Sequence, residues 1–122
     1  MVNIILDTNF LLIPAQFGVD IFAEIGRLCD AHTLWIIDRS VQELQAIAHQ
    51  KGKDGQAAKV ALELISKKQI RQLPANDSSV DDAIVAQVRE GWIVGTQDRE
   101  LRKQLTNNRL LTMRGKSHLT IE

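Results

Sequence analysis

Tyrosine is absent from this chain of 122 residues; cysteine occurs once, proline twice, tryptophan twice and phenylalanine three times. A lone cysteine, Cys29, excludes an internal disulfide and any cysteine-rich zinc site. No apolar run approaches the length of a bilayer span. The first residues carry no basic leader, and Asp7 interrupts their apolar stretch, so neither a secretory signal nor a membrane association is expected. The cytoplasm is the expected setting. Neither G-x-G-x-x-G nor G-x-x-x-x-G-K-[ST] occurs, which removes the usual nucleotide cradles. G-x-S-x-G is missing too, and with it the nucleophile elbow of many hydrolases. His32, His49 and His118 are scattered without ligand spacing. An aspartyl-phosphate enzyme would want a second Asp two residues after Asp7, where Asn9 stands.

What is present suits one globular domain, residues 1–122, with 44% hydrophobic and 25% charged residues. Net charge is zero but unevenly spread. Residues 1–37 and 72–96 are acidic, each with one base against four acids, whereas 38–71 and 97–122 are basic. Such a chain can set an acidic site beside basic surface, or simply mix its surface charges.

The stretch Val2 to Leu12 organises the rest. Val2, Ile4, Ile5 and Leu6 form an apolar, largely β-branched run too short for a helix, which predicts a buried strand. It stops at Asp7-Thr8-Asn9. Pro14 and Gly18 mark a turn-rich segment, and Asp20 opens a helix with Ile21, Ile25 and Leu28 on one face. Residues 33–37 predict a second strand, followed by a helix for which Ser40 is a good N-cap with Glu43 at capping-box spacing. A break at 51–55 precedes a helix over 57–68, and 70–73 reads as a short strand. A helix over 80–88, a strand over 92–96, a helix from Asp98, a strand over 109–113 and a short tail from His118 complete the outline. Strands alternating with helices predict an α/β fold, a three-layer α/β/α sandwich around a parallel sheet of four to five strands.

On that outline Asp7, Glu43, Asp81, Asp82 and Asp98 all fall just past strand ends, and parallel strands end on one edge. Carboxylates meeting there would repel one another, and a divalent cation removes that cost; oxygen ligands suit Mg²⁺ or Mn²⁺. Each acid also has an ordinary use. Asp7 can cap the helix that follows, Glu43 and Asp82 can complete capping boxes with Ser40 and Ser79, and Asp98 can complement a helix dipole. Asp81 is harder to set aside, because Ile84, Val85 and Val88 share its helix face.

Asp7-Thr8-Asn9, Val41-x-Glu43-Leu44, Asp82-Ala83-Ile84-Val85-Ala86 and Thr96-x-Asp98-x-x-Leu101 resemble, in order and spacing, the signature of PIN-domain ribonucleases. The doubled Asp81-Asp82 and the Arg114-Gly115-Lys116 ending are similar to its rRNA-processing branch. The resemblance implies a Mg²⁺- or Mn²⁺-dependent endoribonuclease in which Asp7, Glu43, Asp82 and Asp98, with Asp81 in addition, hold metal. Thr96 and Asn9 would support carboxylates or water. It implies RNA as partner, structured RNA such as an rRNA precursor, since so few aromatics leave little platform for an extended strand. Toxin ribonucleases of toxin–antitoxin pairs share these acids, and a non-catalytic module docking RNA or an assembly partner is a further alternative. Lys51, Lys53, Arg99, Arg102 and Lys103 are candidate phosphate contacts or a solvated basic face. Many PIN domains dimerise, and exposed apolar residues on the helix at 20–30 are the expected homodimer surface.

Overall fold

The computed structural model describes residues 1–122. β1 (Val2–Leu6) lies at the middle of a six-stranded sheet ordered β3-β2-β1-β4-β5-β6, where β2 is His32–Ile37, β3 Arg71–Leu73, β4 Ile93–Gly95, β5 Arg109–Arg114 and β6 His118–Ile121. The first five strands are parallel. From β1 the chain winds outward through β2 to β3, then returns to lay β4 on the opposite side of β1. The sheet therefore changes direction between β1 and β4, and the crevice beyond their carboxyl ends is where open α/β sheets place ligands.

Both faces of the sheet are covered, as the unbroken apolar runs require. Ile4, Leu6, Ile36 and Ile93 point into the larger core, shared with α1 (Ile13–Phe17), α2 (Ile21–Leu28), α3 (Asp38–Ala48) and α4 (Lys53–Lys67). Ile5, Ile37 and Val94 point the other way, against α5 (Val80–Gln87) and α6 (Arg99–Gln104). The period-two alternation within single strands thus builds the three layers.

Four local expectations change. The segment read as turns is a 3₁₀ helix (Thr8–Leu12) running into α1, with Pro14 in its first turn and Gly18 left-handed at its end, the positions where each residue assists a helix. The tail is a true strand: β6 pairs antiparallel with β5, so the sheet has six strands and is not wholly parallel. Its turn places Gly115 and Lys116 at φ 58° and 53°, with Ser117 N–H donating to Arg114 O at 3.1 Å. α4 begins at Lys53, four residues before the expected start. The helix at 20–30 offers no large exposed apolar side chain. Ile21 and Ile25 are buried, and Glu24 and Arg27 reach across to the N–H and C=O of Leu119, closing part of the β6 edge. The apolar residues left partly open on that helix are Phe22 and Leu28.

Gly95 ends β4 against β1. A Cβ built there would lie 2.8 Å from Leu6 Cδ2 and 3.2 Å from the Phe10 ring, while Gly95 O accepts from Asp7 N–H at 2.8 Å. Gly95→Ala is expected to destabilise the fold by about 1–3 kcal/mol through overpacking, read as a lower urea midpoint. An unchanged midpoint would show that the contact is not tight.

Candidate active site

Asp7 is the first residue beyond β1 and is 4% exposed. Its Oδ1 accepts from Thr8 N–H at 2.8 Å and its Oδ2 from the Thr96 hydroxyl at 2.7 Å. Thr96, 1% exposed, also accepts at Oγ1 from Asp98 N–H at 3.0 Å. A backbone N–H can only donate, so the Thr96 proton is left to point at Asp7. Burial pushes the Asp7 carboxyl above the usual range; the Thr96 and Thr8 bonds oppose this, and the charges of Asp98 and Glu43 add to it.

Glu43 reaches the same place from α3. The helix begins at Asp38, two residues before the expected cap, so Ser40 lies inside its first turn and is fully buried. No capping box forms. Thr8 Oγ1 instead donates to Glu43 Oε1 at 2.7 Å and meets Ser40 Oγ at 2.8 Å. With the Thr8 proton directed to the carboxylate, Ser40 must be the donor in its pair. Thr8 and Ser40 thus orient Glu43, a role that their sequence positions beside cap signals conceal.

Asp98 caps α6, with Oδ1 accepting from Glu100 N–H at 2.9 Å and Leu101 N–H at 3.4 Å. Its ordinary use as a helix-terminal acid is realised, and it faces the cluster as well. Asp81, half-buried in the first turn of α5, has its carboxyl pushed up to about 6 by burial, then by the charges of Asp7 and Asp98, by a proton it can share with Asp98, and by Glu43. Its neighbour Asp82 is exposed, about 100° further round the helix, and its N–H donates to Ser79 Oγ at 3.1 Å. Asn9 Oδ1 accepts from Gln97 N–H at 3.3 Å, tying together the loops after β1 and β4. Asn9 therefore steadies the loops and makes no bond to a carboxylate.

Asp7, Glu43, Asp81 and Asp98 thus act on one another from four separate stretches of chain, and none of these acids, nor Asp82, forms an ion pair with a basic side chain. The donors are hard oxygens and the charge is uncompensated, which fits a divalent cation of the Mg²⁺ or Mn²⁺ type. No three acids are already drawn into a coordinating arrangement, so side-chain rotation would have to accompany binding. Of the basic candidates, Arg102 pairs with Glu122 and Lys103 with Glu100, while Lys51, Lys53 and Arg99 are exposed without ion-pair partners.

The raised Asp81 carboxyl has a consequence for stability. The folded chain holds this proton more tightly than the unfolded chain, whose carboxyl stays near 3.8. The associated stability is complete below about pH 4 and is lost as pH rises toward 6. In EDTA, the melting temperature of the wild type is expected to fall relative to that of Asp81→Asn across this window. Parallel profiles would contradict the assignment.

In sequence the chain is similar to Ribonuclease VapC4 of Methanocaldococcus jannaschii, 30% identical over 119 residues that span 93% of this chain and 89% of that protein. In fold it is similar to the PIN domain endonuclease Utp24, with a TM-score of 0.80 at 23% identity, over 98% of this chain and 90% of that one. No helix is long and apolar enough to cross a membrane. The model of the PIN-like domain matches residues 4–116, which take in the parallel strands, all but the first residues of β1, and all of the clustered acids, and the chain belongs to that family.

Proposed function

We propose that the chain is a metal-dependent endoribonuclease that hydrolyses phosphodiester bonds of structured RNA in the cytoplasm. The observation that carries this reading is the convergence of Asp7, Glu43, Asp81 and Asp98 on the switch point of the sheet with no cation of the protein to neutralise them. Similarity to a ribonuclease over most of both lengths supports RNA as the substrate.

Asp7, Glu43, Asp81 and Asp98 would hold Mg²⁺ or Mn²⁺, with Asp82 as an outlying acid able to bind through water. A divalent ion held there supplies an acidified water and a counter-charge for the phosphodiester. Thr96 fixes the Asp7 carboxylate and the start of α6 with a single hydroxyl, and Thr8 with Ser40 fixes Glu43. These bonds preorganise the acids before substrate arrives. Lys51, Lys53 and Arg99 offer phosphate contacts, which would make affinity fall steeply with salt. Water adding to the phosphorus with departure of the 3′-oxygen would leave 5′-phosphate and 3′-hydroxyl ends.

The test is cleavage of a structured RNA with Mn²⁺ or Mg²⁺. EDTA is expected to reduce cleavage to background and re-added Mn²⁺ to restore it; EDTA-resistant cleavage would contradict the reading, and an RNA-binding module without activity would show no cleavage under either condition. For the biological setting, the doubled Asp81-Asp82 and the Arg114-Gly115-Lys116 turn support rRNA maturation. The acids are also those of toxin ribonucleases, which keeps a toxin ribonuclease as the second reading. Growth arrest on induction, with mRNA rather than rRNA precursors cut, would favour the second.

A further inference from the structure

The two tryptophans of the chain stand together, away from the acids. Trp35 in β2 and Trp92 just before β4 have ring centroids 5.9 Å apart and planes 27° from parallel. Both are half-exposed, and the Trp35 indole N–H donates to Asn3 Oδ1 at 2.9 Å, which fixes the ring. They line a surface groove of about 480 Å³ together with Leu73, Val88 and Arg89. The Arg71 guanidinium lies 5.7 Å above the Trp35 ring. No carboxylate lines this groove. At Val88 and Arg89 it adjoins a second, polar groove of about 530 Å³ that carries the exposed amides of Gln104 and Asn107.

We infer that the Trp35–Trp92 groove is an accessory RNA-binding site that takes an unpaired nucleotide of the substrate. Two half-exposed indoles beside guanidinium groups combine the elements that hold single-stranded nucleic acid, an aromatic surface for the base at the open side of Trp92 and fixed positive charge for the phosphate. The amides of the neighbouring groove supply donors and acceptors for base edges. α5 connects the two sites, with Asp81 in its first turn and Gln87 at its end, a separation of about 10 Å along the helix axis. An RNA strand at the acids thus reaches the groove within a few nucleotides. The scarcity of aromatics does not remove a stacking site, because both tryptophans are in the same place. This inference rests on the ribonuclease reading and deepens it.

Because the chain has no tyrosine and no other tryptophan, its indole emission reports this groove alone. The probe is a short RNA hairpin with an unpaired adenosine tail, added to the wild-type chain in EDTA so that it is not cut. Binding is followed in parallel by anisotropy of a labelled copy and by indole emission with an unlabelled one. The two signals are expected to saturate together, with emission falling markedly, and the double variant Arg71→Glu/Arg89→Glu should weaken binding by roughly tenfold or more. Both arginines are exposed, so these substitutions spare the core. Saturating anisotropy with flat emission, or unchanged affinity in the double variant, would overturn the site and leave the ribonuclease reading standing. Absence of any binding would also overturn it, and the independent cleavage assay then decides whether the ribonuclease reading falls as well.

Discussion

Asp7→Asn is expected to lower RNA cleavage by on the order of 10³-fold, the scale of losing a preorganised electrostatic group. The substitution keeps shape and volume, so the packing of Leu6 and Phe10 on either side is not disturbed. It removes the charge that burial already disfavours and that Asp98 and Glu43 oppose. Against this relief, the amide must set one NH₂ group toward Thr96 or Thr8, whose hydrogen bonds are arranged for a carboxylate. The two effects oppose each other, and the stability in EDTA should change by no more than about 1 kcal/mol in either direction. Single-turnover cleavage with Mn²⁺, beside a urea titration, checks both parts. Activity within tenfold of wild type in a folded variant would remove Asp7 from the chemistry.

The second large effect separates two neighbours. Asp81→Asn is expected to reduce cleavage by roughly 10²-fold or more, and Asp82→Asn by no more than about threefold, since a carboxylate acts here only from the helix face that meets the other acids. The sequence motif alone favours Asp82, because Asp82-Ala83-Ile84 continues the family pattern. The geometry favours Asp81 instead: it feels the charges of Asp7, Asp98 and Glu43, whereas Asp82 is exposed and its N–H is held by Ser79. Equal losses in the two variants would mean that both acids serve the ion, and a larger loss at Asp82 would reject the ranking.

Much of this was legible in the residues, and the exceptions have physical causes. The run from Val2 to Leu6 ending on Asp7 could be read as a central strand, because a strand covered on both faces has no reason to alternate. Alternation of strands and helices then puts the acids on one edge. The Thr8–Ser40–Glu43 chain was not legible. Ser40 and Glu43 have capping-box spacing, a valid local signal, yet α3 starts at Asp38 and Ser40 turns inward to a residue 32 positions earlier. Local patterns cannot report partners at that separation. β6 is not legible as a strand because four residues after a turn carry little periodicity; pairing with β5 and the Glu24 and Arg27 contacts from α2 make it one.

The most direct measurement of the central claim is a calorimetric titration of Mn²⁺ into the wild-type chain and into Asp7→Asn and Asp81→Asn at pH 7. Carboxylates gathered without a protein cation should give saturable, stoichiometric binding in the wild type, accompanied by a higher melting temperature. Both variants should bind at least tenfold more weakly, on the scale by which even supporting groups of a metal site alter affinity. Absence of binding heat and of any thermal shift in the wild type, or binding that survives both substitutions, would contradict the claim that these acids form one cation site.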